Sequence, residues 1–99
     1  MGEKFLRLAG FVELEASADS EGSVLINGRS GVLYSCNATA AMLASELVKG
    51  ADVELLQKLL IQHFEVSADK ALRDIHQFID ALNAAGLLEI VDRPIIQVA

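Results

Sequence analysis

The stretch at residues 67–88 constrains the fold more than any other part of this 99-residue chain. Apolar residues recur there at intervals of three and four, which is the period of a helix with an apolar face. The first line of apolar residues is Ala68, Leu72, Ile75, Ile79 and Leu82. A second line widens this apolar face and consists of Ala71, Phe78 and Ala85. Ser67 can cap the first turn, and Gly86 can close the last turn in the left-handed conformation. The pattern predicts a long helix with two apolar walls, one of which faces the core.

Two shorter helices are predicted before this one. Asn37 is a good N-cap, and the apolar stripe that follows it ends at Lys49 and Gly50, a cation in the last turn and a helix-ending glycine. The next helix begins near Asp52, and its apolar face runs to Phe64. The connections between the three helices are very short, so successive helices must turn sharply against one another.

Strand patterns precede the helices. Residues 12–16 alternate between apolar and polar positions, small polar residues follow at 17–22, and short apolar runs lie at 23–26 and 32–35. Asn27 and Gly28 tolerate positive φ, which favours a tight hairpin between the last two strands. The sequence therefore predicts a three-stranded antiparallel meander. In addition, we expect an arm or an irregular first strand at residues 1–10, a last short strand at 87–91 and a tail at 92–99.

Three strands followed by three closely linked helices predict an α+β fold that resembles winged helix-turn-helix proteins. In this fold the helices cover one face of a small antiparallel sheet. The length fits a single domain that spans residues 1–99. Apolar residues make up 53% of the chain but aromatic residues only 5%, so Leu, Ile, Val and Ala must fill the core.

The charge of the chain limits its partners. A formal net charge of −6 opposes binding to nucleic acid or to an anionic membrane, because each phosphate contact needs a Lys or an Arg. No run approaches the roughly 18 apolar residues of a membrane span. Cys36 is the single cysteine, which excludes an internal disulfide and suits a reducing compartment. We predict a cytoplasmic protein that binds neither nucleic acid nor membrane.

Residues with nucleophilic or metal-ligand character are few and separate. His63, His76 and Cys36 fall on three different predicted elements, at spacings that match no metal motif. The carboxylates are scattered rather than paired toward a pocket, as general acid and base catalysis would need. The sequence therefore predicts no catalytic residue, no metal site and no cofactor, and we expect a protein that is not an enzyme.

Three binding roles stay open at this point. A winged-helix transcriptional regulator would read DNA with the third helix, but carboxylates outnumber Lys70 and Arg73 there, which disfavours DNA. The strand at 32–35 has no charged residue to blunt its edge, and such an edge can accept an extended peptide. Alternatively, the edge is covered by the N-terminal arm, by the C-terminal strand or by a second copy of the chain. The last case would make the protein a structural dimerisation domain.

Several segments of the chain, in order, resemble the PqqD family. The strand-to-helix segment at 31–41, with Asn37-x-Thr39-Ala40, is the strongest, and it is followed by residues 52–56, 64–66, 74–75, 78–82 and the ending Ala85-Gly86-Leu87-Leu88. The resemblance covers residues 11–90. The family includes the chaperone of pyrroloquinoline-quinone biosynthesis and the precursor-peptide recognition domains of many ribosomal peptide pathways.

The resemblance implies a non-catalytic peptide-binding module. In the family, the leader segment of a precursor peptide adds as an antiparallel strand to the third strand and contacts the third helix, and a modifying enzyme or a leader peptidase then receives the peptide. Carried over by position, the peptide-binding residues are Val32, Leu33, Tyr34 and Ser35 on the strand and Lys70, Arg73, Asp74, Gln77 and Phe78 on the helix. Cys36 stands where leucine is usual, and the proline and tryptophan pattern of the quinone chaperones is missing. The quinone pathway, a lasso-peptide pathway and other peptide pathways therefore stay open.

Overall fold

The computed structural model describes residues 5–16 and 22–91. In chain order, the elements are β1 (Phe5–Leu8), β2 (Val12–Ala16), β3 (Ser23–Asn27), β4 (Leu33–Cys36), α1 (Ala38–Lys49), α2 (Val53–Phe64), α3 (Ala68–Ala84) and β5 (Leu88–Val91). A three-stranded antiparallel sheet followed by three helices confirms the predicted α+β, winged helix-turn-helix-like fold. The predicted tail at 92–99 and most of the predicted turn at 17–22 lie outside the described residues.

The three-stranded sheet has the order β2-β3-β4, with Leu14, Leu25 and Tyr34 side by side across it. The turn between β3 and β4 differs from the prediction. Asn27 and Gly28 do not adopt positive φ; the residue that does so in this turn is Gly31, at φ 80°. The Asn27 side-chain oxygen instead accepts two backbone N–H bonds, so the connection is longer than a two-residue hairpin. As a result, β4 begins at Leu33, one residue later than predicted.

Strands β1 and β5 form a second, two-stranded antiparallel sheet. The Arg7 guanidinium donates to the carboxylate of Glu89, its directly paired residue, at 2.9 Å. Leu6 also exchanges two backbone hydrogen bonds with Ala51, which ties β1 to the start of α2. Residues 5–8 are therefore a strand rather than an arm, and the two terminal strands pair with each other instead of covering β4.

The three helices begin at the residues that the sequence predicts. The side chains of Asn37, Asp52 and Ser67 each accept a hydrogen bond from the backbone N–H three residues later, at 2.8–3.1 Å. Gly86 follows α3 with φ 75°, and the N–H of Leu87 reaches back to the end of the helix. These local bonds satisfy the free backbone groups of the helix ends.

The helices pack on the inner face of the sheet around an aliphatic core. α1 contacts β2, β3 and β4, while α3 packs against α2 and β5. The largest fully buried side chains are Leu25, Leu43, Leu47, Leu56, Leu60, Ile75 and Leu87. The core face of α3 combines the two predicted apolar lines and contains Ala71, Ile75, Phe78 and Leu82. The prediction that Ala68 belongs to the apolar face was wrong, because Ala68 is exposed.

Candidate functional site

Strand β4 forms one edge of the three-stranded sheet, and its backbone is open on one side. The N–H of Asn27 donates to the C=O of Val32 at 2.9 Å, one step beyond the last directly opposite pair of β3 and β4, Ile26 and Leu33. Since hydrogen-bonded and non-bonded pairs alternate in an antiparallel ladder, Tyr34 also bonds to β3. The N–H and C=O groups of Leu33 and Ser35 therefore point away from the sheet. Among the described residues, no strand pairs with this side of β4.

An apolar groove of about 240 Å³ runs beside this open edge, between β4 and α3. The half-buried rings of Tyr34 and Phe78 belong to its two walls. Small side chains at Ala81 and Ala85 leave room above a buried floor. The remaining lining residues are Leu25, Ser35, Cys36, Asn37, Ala40, Leu82 and Leu87. An extended chain that paired with β4 would therefore place alternate side chains over this groove.

A polar cavity of about 360 Å³ continues the groove toward the N-terminal half of α3. Its lining residues are Asn37, Thr39, Ala40, Leu43, Lys70, Asp74, Gln77 and Phe78, so Asn37, Ala40 and Phe78 belong to both cavities. The Lys70 ammonium lies 3.0 Å from the Asp74 carboxylate. The combined site is apolar beside the strand and carries an exposed ion pair at its other end.

The structure brings most of the predicted site residues together. Tyr34, Ser35 and Phe78 line the apolar groove, and Lys70, Asp74, Gln77 and Phe78 line the polar cavity. Val32 and Leu33 line neither cavity and are 46% and 63% exposed. Arg73 is exposed and also lines neither of these two cavities, but it lines a wider, open depression of about 980 Å³ on α3 together with Lys70, Asp74 and Gln77. A role for these residues in peptide binding stays a prediction.

Several lining residues were not identified from the sequence. Asn37 was assigned to the cap of α1 and to the family signature but not to the binding site, although it lines both cavities. Ala40, Ala81 and Ala85 entered the sequence analysis only as parts of apolar patterns or family motifs, because an alanine side chain carries no group that identifies a binding site. Their spacing is the usable signal, because Ala81 and Ala85 lie one helical turn apart, as do Phe78 and Ala81.

Among the described residues, the cysteine and the two histidines fall on three different elements: Cys36 on β4, His63 on α2 and His76 on α3. Burial raises the pKa of the Cys36 thiol, so the group is a protonated part of the groove floor at neutral pH. His63 and His76 are both exposed. Within residues 5–16 and 22–91, no three His, Cys, Asp or Glu side chains stand close enough to hold a metal ion. In the same ranges, no helix combines the length and the apolar character needed to cross a membrane.

Comparison with protein-family models decides the family. The model described as Coenzyme PQQ synthesis protein D (PqqD) matches residues 22–88, which contain β3, β4 and all of α1 to α3. The chain belongs to the PqqD family. Both walls of the groove lie within the matched residues. Comparison with curated protein sequences gives no match.

Two solved structures resemble this PqqD-family chain over most of its length. One is lasso peptide synthetase B1 complexed with the leader peptide, with a TM-score of 0.72 and 28% identity over 85% of this chain and 96% of that chain. The other is TbiB1 in complex with the TbiA(beta) leader peptide, with a TM-score of 0.73 and 24% identity over 84% of this chain and 94% of that chain. The second likeness, at its lower identity, concerns the fold alone.

Proposed function

We propose that this chain is a non-catalytic module that captures the leader segment of a ribosomally made precursor peptide. The leader adds as an antiparallel strand to β4 and lays alternate side chains against α3. The module then delivers the peptide to a modifying enzyme or a leader peptidase. One observation carries the proposal: the open backbone of β4 runs directly beside the apolar groove between Tyr34 and Phe78.

The structural relatives support this choice of ligand. Lasso peptide synthetase B1 is complexed with a leader peptide, and this chain covers 96% of that protein. The described core, the groove and the family match all lie within one compact unit, so we propose that residues 1–99 act as a single domain. Because ribosomes make the precursor peptide, we place the encounter in the cytoplasm.

The interface supports selective but moderate affinity. Backbone bonds to Leu33 and Ser35 would hold any extended segment, whereas the groove would select apolar side chains. In the polar cavity, the Lys70 ammonium, which is paired with Asp74, would also form an ion pair with an acidic leader residue. Such a strand-and-groove interface buries a small area, so we expect dissociation constants from about micromolar to tens of nanomolar.

The charge of α3 favours a peptide over DNA. The Lys70 ammonium is paired with Asp74, and Asp69 and Asp80 are exposed on the same helix. Phosphate groups would meet a negative surface there, so DNA is the weaker candidate. Retention on DNA that weakens with salt and is lost in Arg73→Glu would favour a transcriptional regulator instead.

The proposal is tested by titrating the protein with a fluorescein-labelled synthetic leader from the precursor peptide encoded beside it. Ser35→Pro removes an outward N–H of β4 without removing a bond to β3, so it should weaken binding at least tenfold. Ala16→Pro is the matched control, because Ala16 is an exposed residue on the opposite edge strand. Saturable binding that Ser35→Pro weakens and Ala16→Pro does not supports the proposal. Absence of saturable binding refutes it.

The open edge of β4 can also pair with a second copy of the chain. The mass of the protein in dilute solution separates the two cases. A dimer that Ser35→Pro dissociates and that the leader does not disturb would favour a structural dimerisation domain. A monomer that binds the leader, or a dimer that the leader dissociates, supports strand addition by the peptide.

A further inference from the structure

We propose that Leu33 forms a second recognition subsite, which selects an apolar leader side chain on the sheet face opposite to the groove. The inference rests on the proposed function and deepens it, because it concerns which leader sequences the same edge accepts. Leu33 is 63% exposed, the most of the large apolar side chains among the described residues. Edge strands are usually protected by a charged residue, yet β4 carries this leucine instead.

The phase of the β4 ladder decides which leader residue meets Leu33. The Asn27 to Val32 hydrogen bond makes Leu33 a non-bonded pair with β3, so its backbone N–H and C=O are free for the leader. A leader residue directly opposite Leu33 therefore exchanges two backbone bonds with it. Directly opposite residues point to the same face of a sheet, so this leader side chain lies beside the Leu33 side chain and away from α3.

The neighbouring leader residue has the complementary position. Tyr34 bonds to β3, so the leader residue opposite Tyr34 makes no backbone bond to β4. Its side chain shares the face of Tyr34 and enters the groove against Phe78. In an antiparallel arrangement, the residue opposite Leu33 directly follows the residue opposite Tyr34 in the leader. The geometry therefore selects two consecutive apolar residues, one for each face.

The surroundings of Leu33 extend the outer subsite across the sheet. Ile26 is directly opposite Leu33 on β3, and both side chains belong to the outer face. Glu13 is opposite Ile26 on β2, so the apolar row ends in a charge at the far edge. The free end of this row lies at the open edge of β4, where the leader would continue it. Cross-strand apolar pairs of this kind change affinity by about two- to fivefold.

Amide hydrogen exchange tests the backbone phase without any substitution. In the free protein, the amides of Tyr34 and Cys36 should exchange slowly, because they bond to β3, and those of Leu33 and Ser35 should exchange quickly. Saturation with the synthetic leader should slow Leu33 and Ser35 at least tenfold and leave the other two little changed. Slowing at Tyr34 and Cys36 alone would overturn the assigned phase.

A charge exchange tests the outer subsite itself. Leu33→Lys should weaken binding of the synthetic leader about two- to fivefold, while Val48→Lys, a control at a residue that is 53% exposed in α1, should not. A glutamate scan of the leader should then restore binding to Leu33→Lys at one position. Since that residue bonds to the β4 backbone, N-methylation of its amide should abolish binding, whereas the preceding residue should tolerate N-methylation.

The outcomes separate this inference from the proposed function. Rescue at a position that is sensitive to N-methylation supports the outer subsite. Three results overturn the outer subsite: Leu33→Lys binds the leader as well as the wild-type protein, no glutamate restores binding, or the restoring position tolerates N-methylation. In each case, leader binding by the wild-type protein still supports the proposed function. If the wild-type protein does not bind the leader, the proposed function fails and this inference fails with it.

Discussion

Replacing Ala81 by phenylalanine should close the groove while leaving the rest of the molecule intact. Ala81 lines the groove from α3 and is itself exposed, so a larger side chain extends into the groove rather than into the core. The groove has a volume of about 240 Å³, so it can hold one or two leader side chains. It cannot hold them together with the ring of a phenylalanine at position 81. Leader binding should therefore weaken because its apolar side chain loses the site.

The size of the effect follows from the burial that is lost. Removing a large apolar side chain from water contributes about 1.5–3 kcal/mol, so preventing that burial should raise the dissociation constant about 10- to 100-fold. The cost to folding is smaller, since alanine is a better helix former than phenylalanine by only about 0.5 kcal/mol at an exposed position. Binding and stability should therefore separate clearly in this variant.

Fluorescence anisotropy of a labelled leader measures the first quantity, and urea unfolding measures the second. Ala84→Phe is the matched control, because Ala84 is exposed on the same helix and does not line the groove. Equal affinity of Ala81→Phe and the wild-type protein would refute the assignment of the groove. An equal loss of affinity in both variants would show that the effect does not come from the groove.

Three further outcomes follow from the same structure. Gly50→Ala should destabilise the fold by about 1–3 kcal/mol in urea unfolding, because Gly50 has φ 101° and an added Cβ would overlap the Phe5 ring. Cys36 should react slowly with iodoacetamide at neutral pH and faster as the pH approaches its raised pKa, since burial keeps the thiol protonated, and bound leader should slow the reaction further. Lys70→Gln should weaken binding of an acidic leader by up to about fivefold at low salt and less at high salt, whereas Lys58→Gln, at an exposed lysine of α2 that lines neither cavity, should not.

Each of these outcomes has its own check. Gly10→Ala should leave stability nearly unchanged, because no atom lies within 4 Å of the added Cβ, and a similar loss in both variants would remove the steric explanation. Reaction of native Cys36 as fast as that of the unfolded chain would contradict its burial. Equal effects of Lys70→Gln and Lys58→Gln would mean that the effect comes from the overall charge of the protein and not from the polar cavity.

Local chemistry explains why the helix boundaries were predictable. Each capping side chain of Asn37, Asp52 and Ser67 bonds to a backbone group only three residues away, so a short stretch of sequence contains both partners of the cap. Where a distant contact intervened, prediction failed. Gly28 does not adopt positive φ, and its N–H instead donates to the carbonyl of Phe11 at 2.9 Å. This close contact is why only glycine fits there, since an added Cβ would lie 2.6 Å from that oxygen.

The site divides in the same way between sequence and tertiary structure. The sequence by itself determined the elements, the uncharged strand and the apolar helix, because hydrophobic period, caps and turns act over a few residues. Only the tertiary structure decided that Ala81 and Ala85 line one groove with Tyr34, that Arg73 stands outside both cavities, and that β1 and β5 pair with each other rather than with β4. Those outcomes depend on the rotation of α3 against the sheet. That rotation is set by packing of buried side chains from distant parts of the chain, which no local pattern contains.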